Sequence, residues 1–309
     1  MSNARVLYIN LTGVTCEIMK NLVLAGVAAV VCDSRTYPDA VREMPCSFFH
    51  AEDMENDASA ENGSSRCTVA KSVQPKVEEL NPLLAGRNSI EERPLSELPD
   101  DFFTQFDAIV ASRLTVDEAK RISTSLQKVD EGKLFIVTDT FGFDGCAQLD
   151  FGKNHTYRRE LGKDKLSDLM SVEPYVPIAD MMDIPLAGVK GRWDKSVPRI
   201  LVLHRLFMDY WSKSEDKQDF VTFAQSWLES NKLSQSVLSS ADVQDCSLDA
   251  LSGIAQHPEV SPVCAVLGGI LGNEVIKSLT GKGEPANNVM LFSGFDGGCR
   301  SFLLKNNDV

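Results

Sequence analysis

Unbroken apolar runs alternate along this chain with longer, one-sided apolar stretches. Arg5-Val6-Leu7-Tyr8-Ile9 is nearly continuous in apolar character, the pattern of a central parallel strand covered on both faces. A polar turn over 10–15 leads into a predicted helix over 16–25, with Ile18, Leu22 and Leu24 apolar and Gly26 ending it. A second strand is predicted over 27–32, closing on Asp33. Further on, the pattern predicts a helix over 69–80, stopped by Asn81-Pro82, and a short strand near 84–90. Residues 102–107 lead into a strand over 108–111, followed by a helix over 115–129 and a strand over 134–138. Strands alternating with helices at this spacing predict an α/β fold with a doubly wound, mostly parallel, Rossmann-like sheet.

The regularity then breaks. Residues 141–149 read as a turn into an edge strand pair, and 152–192 are mixed polar and proline-bearing, with no predicted element. Helices are predicted over 200–211, 220–228 and 243–254, and strand character resumes over 289–292 and 301–304. The chain is therefore divided into an α/β first part (1–151), a mostly helical insertion (152–257) and a return to the α/β domain (258–309). Residues 50–66 are rich in Ala, Glu, Asp, Asn and Ser and read as an acidic, mobile surface loop.

The stretch 261–279 stands apart. Ser261 suits an N-cap, Pro262 suits a first helical turn, and Gly281 suits a left-handed C-terminal stop. Between them the sequence is apolar or small on nearly every side until Asn273 and Glu274, which marks a buried helix. Its length and the charge that follows argue against a bilayer span. Cys264, Gly268 and Gly272 recur at i, i+4 and i+8, a stripe without bulk that lets another backbone come close.

Composition narrows the function classes. The 309 residues carry a net charge of −13, which argues against nucleic acid as the main partner and leaves solubility, or basic patches on partner proteins, as its use. Eight cysteines are scattered without CxxC pairs, several within apolar runs, as suits reduced thiols in an intracellular compartment. The four histidines (His50, His155, His204 and His257) show no metal-ligand spacing, so no zinc site is expected, and His204 reads as a satisfied helix histidine. No charged region followed by an apolar signal core precedes the first strand, so no secretory signal is expected.

The strand–turn–helix–strand–acid order at the start is that of a nucleotide-binding α/β unit. Its turn needs glycine, so that backbone N–H groups can approach a phosphate with no Cβ in the way. Here only Gly13 survives, while Asn10, Thr12 and Thr15 stand where glycine would be expected. Asp33 occupies the position of a ribose-binding carboxylate, but Ser34-Arg35 follows it. The turn is therefore expected not to bind nucleotide productively.

Five stretches, 16–27, 102–108, 140–145, 261–271 and 285–288, in this order, resemble the adenylation-fold half-enzymes of the ThiF/MoeB type that activate ubiquitin-like proteins. The likeness reaches from about residue 5 to 304, is weakest in the middle block and acidic loop, and is greatest to the smaller, non-catalytic subunits of SUMO-activating enzymes. Two departures fit a non-catalytic role. Adenylating members follow the strand ending at Ala111 with a magnesium-binding aspartate; here Ser112-Arg113 stand there, an arginine cannot coordinate a cation, and Asp117 is out of position. The family's thioester cysteine belongs to the partner in a Pro-x-Cys-Thr context, and Pro45-Cys46, its nearest likeness here, lies in the wrong segment. Members also begin with a basic helix that lends an arginine to the partner's ATP site, whereas Arg5 already opens a strand; truncation, compensation by the partner and a divergent lineage are three readings of that difference.

The resemblance implies a regulatory or scaffold subunit with no catalytic residue and no activity alone. Its partner would be the catalytic subunit of a SUMO-activating enzyme, in a pseudo-symmetric heterodimer. That partner would use ATP and Mg to adenylate SUMO and form a thioester, this chain binding no cofactor or metal and meeting SUMO only indirectly. No nucleic acid or membrane partner is implied, and localisation by analogy is nucleus and cytoplasm. Pro262, Val263, Cys264, Val266, Leu267, Gly268, Ile270 and Leu271 are the candidate partner surface, the alternative being that this helix packs internally. Three rival readings are the equivalent subunit for another ubiquitin-like modifier, an independent NAD- or ATP-binding oxidoreductase or ligase, and a non-enzymatic α/β adaptor.

Overall fold

The computed structural model describes residues 1, 3–36, 67–129, 132–162, 165–190, 196–212, 219–233, 236–247 and 259–305. The chain runs β1 (Arg5–Ile9), α1 (Gly13–Leu24), β2 (Ala28–Cys32), α2 (Val69–Leu80), β3 (Ser89–Glu91), α3 (Asp100–Phe103) and β4 (Ala108–Ala111). It continues through α4 (Val116–Leu126), β5 (Leu134–Phe141), β6 (Asp144–Asp150), the two-residue strands β7 (Thr156–Tyr157) and β8 (Met170–Ser171), and α5 (Ile178–Asp183). There follow α6 (Arg199–Trp211), α7 (Phe220–Ser230), α8 (Ser240–Ser247), α9 (Ser261–Thr280), β9 (Val289–Ser293) and β10 (Gly298–Phe302).

Eight strands form one sheet in the order β10-β9-β6-β5-β4-β1-β2-β3. The β3-β2-β1-β4-β5 block is parallel, with Leu7 opposite both Val30 and Ile109, and β6, β9 and β10 extend it antiparallel. This is the α/β, Rossmann-like, mainly parallel architecture expected. Side chains alternate between two faces because successive Cβ atoms of a strand point oppositely. Leu7, Ile9, Val30, Ile109 and Phe135 join one core with α3 to α8, whereas Val6, Tyr8, Ala29, Val110 and Ile136 join another with α1, α2 and α9. Both faces are covered, which is why runs such as Val6-Leu7-Tyr8-Ile9 and Leu134-Phe135-Ile136-Val137 are apolar without alternation.

Several local expectations are corrected by long-range pairing. β6 is no edge strand: it bonds β5 on one side and β9 on the other, and the edges are β10 and β3. Its partner β9 comes more than a hundred residues later, which no local pattern reports. β5 runs to Phe141 rather than 138 because β6 pairs along its whole length. The strand near 84–90 is only Ser89–Glu91, behind one 3-10 turn at Pro82–Leu84. α1 starts at Gly13, three residues before the periodicity predicts, and α4 is a residue shorter at its start and ends at Leu126. Residues 152–192, predicted without elements, contain β7, β8 and α5. α8 begins at Ser240, and the last strand is Gly298–Phe302. The loop 50–66, Pro45-Cys46, His50 and His257 lie outside the described residues.

α9 caps differently from expectation. Val260 is its N-cap, so Ser261 and Pro262 both sit in the first turn, while Gly281 does take the left-handed conformation at φ 63°. At 20 residues α9 is long and apolar enough to cross a bilayer by length and composition, which corrects the argument from its shortness. Packing decides its place instead. Val263, Cys264, Leu267, Leu271 and Val275 are buried against α1 and the second face of the sheet, and burying a side chain such as Leu267 contributes about 1.5–3 kcal/mol.

Candidate functional site

The carboxyl ends of the parallel strands meet α1 where β1 lies between β2 and β4, the crevice in which α/β sheets bind ligands. Asn10, one residue past β1, has φ 55°, the left-handed conformation glycine would supply and asparagine tolerates. Its side chain is spent on the sheet, with Nδ2 donating to the Ser112 carbonyl at 3.1 Å.

The N–H groups of the turn are likewise taken by this chain's own side chains. Leu11 N donates to Asp33 Oδ2 at 2.8 Å, Thr12 N to Thr15 Oγ1 at 2.7 Å, and Gly13 N to Glu259 Oε2 at 2.8 Å. Thr12 Oγ1 also donates to Ser112 Oγ at 3.2 Å, and Thr12, Thr15 and Ser112 are fully buried. Asp33, in the ribose-carboxylate position, is 1% exposed and faces inward. Arg35 grips it with Nε 2.9 Å from Oδ1 and Nη2 2.6 Å from Oδ2, and Nη2 also donates to Leu11 O at 2.7 Å. The N–H groups of Leu11, Thr12 and Gly13 and both oxygens of Asp33 thus have partners within this chain.

Ser112 and Arg113, where the resemblance would place a metal-binding aspartate, belong to a buried charge network. Arg113 has φ 54°, its side chain is 7% exposed, and its guanidinium lies 5.1 Å from the Trp211 ring centre. Arg113 Nε stands 3.8 Å from Asp139 Oδ1, and none of its three side-chain nitrogens has a hydrogen-bond partner among the described residues. Asp139, buried in β5, accepts from Ser112 Oγ at 2.6 Å and from Arg113 N at 3.0 Å. His204 Nε2 lies 3.1 Å from Asp139 Oδ2, and its Nδ1 lies 3.3 Å from Gln148 Nε2. Burial pushes the Asp139 carboxyl up, but the His204 hydrogen bond, the Arg113 charge and the Ser112 hydroxyl outweigh it and hold the group below the usual carboxylate range. His204 is thereby a satisfied core histidine. A magnesium ion is poorly matched to a site led by a cation, and among the described residues no three His, Cys, Asp or Glu side chains form a metal-binding group.

Glu259 has a single local signal, an acid just before a long apolar helix, because its partners Gly13 and Thr140 lie 246 and 119 residues away in the chain. It is 6% exposed, bridges by its backbone to Gly142, and accepts from Thr140 Oγ1 at 3.2 Å as well as from Gly13. Burial pushes its carboxyl up, against the Arg113 charge, the Gly13 N–H and the Thr140 hydroxyl. Asp139 carries a clearer local signal: an acid between two threonines, in a strand that opens as the apolar run Leu134-Phe135-Ile136-Val137.

The candidate partner residues separate into two sets. Val263, Cys264, Leu267, Gly268 and Leu271 are buried within this chain, so they lie behind its surface rather than on it. Pro262 and Val266 are exposed and Ile270 is half-buried, on the opposite side of α9. Exposed Phe143 and Phe295 lie 5.2 Å apart between ring centres with their planes tilted at 44°, and Gly294 sits between Phe143 and the buried Val263.

The model of the ThiF family matches residues 55–309. Among curated proteins, the chain is 28% identical over 305 residues to SUMO-activating enzyme subunit 1A of Arabidopsis thaliana, covering 96% of this chain and 87% of the relative. It is 25% identical over 330 residues to SUMO-activating enzyme subunit 1 of Danio rerio, covering 96% and 87%. To the protein of that name from Homo sapiens it is 23% identical over 333 residues, covering 95% and 87%.

Proposed function

The chain belongs to the ThiF family, and from that membership we propose that it is the supporting, non-catalytic subunit of a SUMO-activating enzyme. The names of its relatives supply the modifier. The observation that carries the non-catalytic role is the closure of the turn: Leu11, Thr12 and Gly13 give their N–H groups to Asp33, Thr15 and Glu259. ATP and Mg are then bound by the catalytic partner, which adenylates SUMO and forms the thioester, while this chain binds neither.

Its contribution is preorganisation. A subunit that holds its partner's pocket in shape changes rate without touching substrate, since misplacement of reacting groups by about 1 Å costs about a hundredfold. The surface proposed for the partner is the open side of α9, with Pro262, Val266 and Ile270, continued by Phe143 and Phe295. These are exposed or half-exposed apolar side chains on a helix and on two turns, the kind of surface protein partners cover. Residence in nucleus and cytoplasm is proposed with the role, and imaging of a tagged chain tests it.

The deciding experiment is co-expression with a catalytic adenylation subunit, followed by an assay of ATP-dependent thioester formation on SUMO with and without this chain. Thioester that forms only with both chains is expected. Equal thioester formation without this chain overturns the role, and formation with a different modifier reassigns it. Tight ATP or NAD binding by the lone chain would support an independent nucleotide enzyme instead.

A further inference from the structure

Where a nucleotide-binding unit presents its first helix to a phosphate, this chain presents α1 to one of its own carboxylates. The N terminus of a helix carries unpaired N–H groups and the positive end of the helix dipole, so it draws an anion. Gly13 is the first residue of α1, and its N–H meets Glu259 Oε2 at 2.8 Å. The other carboxylate oxygen meets the Thr140 hydroxyl at 3.2 Å, and the residue is 6% exposed. Independently, the Arg113 side chain is 7% exposed and without a hydrogen bond for any of its nitrogens among the described residues, and its charge acts on Glu259. A buried guanidinium of this kind needs anions nearby. Asp139 is one, with Oδ1 3.8 Å from Arg113 Nε, and Glu259, the buried acid held by Gly13 and Thr140, is the other carboxyl that the Arg113 charge favours in its ionised form.

We infer that the Glu259 carboxylate is the resident ligand of this turn, standing at the start of α1 in the place of a nucleotide phosphate and tying α1 to the segment that opens α9. A chain without that carboxylate keeps the dipole, the Thr140 hydroxyl and the buried Arg113, and takes up a small carboxylate anion in the space left. Glu259 lies two residues before the first residue of α9. The bond therefore also sets where the helix begins, and with it the open side carrying Pro262 and Val266. Glu259 is in this sense a positioning residue. The inference rests on the reading of the turn as a closed nucleotide site, but its test needs no partner, modifier or ATP, so the two fail separately.

The test uses the full chain as parent, Glu259→Ala and Glu259→Gln, melted in sodium formate and in sodium chloride at equal ionic strength. Formate reproduces the carboxylate that alanine removes, whereas glutamine fills the space without charge. E259A is expected to melt at least ~3 °C below the parent in chloride and to regain most of that difference in formate, while the parent and E259Q respond equally to the two salts. An E259A chain that responds to formate no more than the parent overturns the inference. A second readout stands even if E259A does not fold: in glycine-labelled protein the Gly13 amide resonance of E259Q moves upfield of the parent, because a charge-assisted hydrogen bond becomes a neutral one. An unmoved Gly13 resonance in folded E259Q overturns the inference as well.

Discussion

Gly268 of α9 lies so close to Glu17 of α1 that a Cβ on Gly268 would stand 2.6 Å from the Cβ of Glu17. The same atom would stand 3.3 Å from the Val14 carbonyl oxygen, so the contact is with backbone as well. At Gly272, one turn on, an added Cβ would meet only Asn21 Cβ at 3.8 Å, an ordinary contact. The stripe of small residues therefore has one position that is sterically required and one that is not.

Gly268→Ala and Gly272→Ala should accordingly move stability in opposite directions. Alanine gains about 1 kcal/mol over glycine inside a helix, and at 272 nothing opposes that gain. At 268 the overlap forces α1 and α9 apart, and overpacking of this kind costs about 1–3 kcal/mol. Urea unfolding of both variants measures the difference. A G268A chain as stable as G272A would show that the two helices yield freely.

Asp139→Asn should destabilise the chain strongly. It removes the charge shared by Arg113, His204 and Ser112 in a fully buried site, and breaking a buried ion pair from one side costs about 3–5 kcal/mol. The pH dependence has a definite sign. The folded chain holds this carboxyl below its ordinary range, so its stabilisation is complete above about pH 4, its unfolded value, and is lost as the pH falls through the lower folded value. The stability gap between parent and D139N, followed by denaturant unfolding from pH 6 downward, should narrow below about pH 4. A gap that widens on acidification would contradict the network.

Val266→Asp should separate folding from assembly. Val266 is 47% exposed on the open side of α9, and surface substitutions of this kind change stability by about 0.5 kcal/mol or less. On the proposed surface, however, the added carboxylate faces an apolar partner and should weaken association about tenfold or more. Co-purification with the catalytic subunit, beside a melting curve of the lone chain, reads both effects. Unimpaired association would move the interface off α9.

The buried thiols should be inert in the folded chain. Cys16, Cys32, Cys146 and Cys264 are buried. Burial, then the charges of Asp33 and Glu91, push the Cys32 thiol up to about 12, and burial with Asp139 pushes Cys146 higher still, against a lowering by Arg93 and Arg205 respectively. Since the thiolate is the reactive form, these four should resist a maleimide at pH 7.5 and react only after unfolding. Peptide mapping of the labelled sites gives the answer, and rapid native labelling of Cys32 would show that β2 opens.

The sequence by itself determined the sheet's parallel half and its covering helices. Runs such as Arg5-Val6-Leu7-Tyr8-Ile9 and Leu134-Phe135-Ile136-Val137 can only be strands dry on both faces, and α2 and α6 announce themselves by periodicity and by their flanking residues. Asn10, Thr12 and Thr15, in the turn where a phosphate-binding unit would carry glycine, are likewise local facts. What the Gly13 N–H meets was decided by contacts between segments far apart in the chain. Glu259 and Gly13 are 246 residues apart, Arg113 and Asp139 come from different strand ends, and β6 becomes interior only when β9 returns to it. Such pairings are set by where the folded sheet and helices bring groups together, and which apolar side of α9 is buried is likewise decided by α1, which packs on the side carrying Cys264, Leu267 and Gly268.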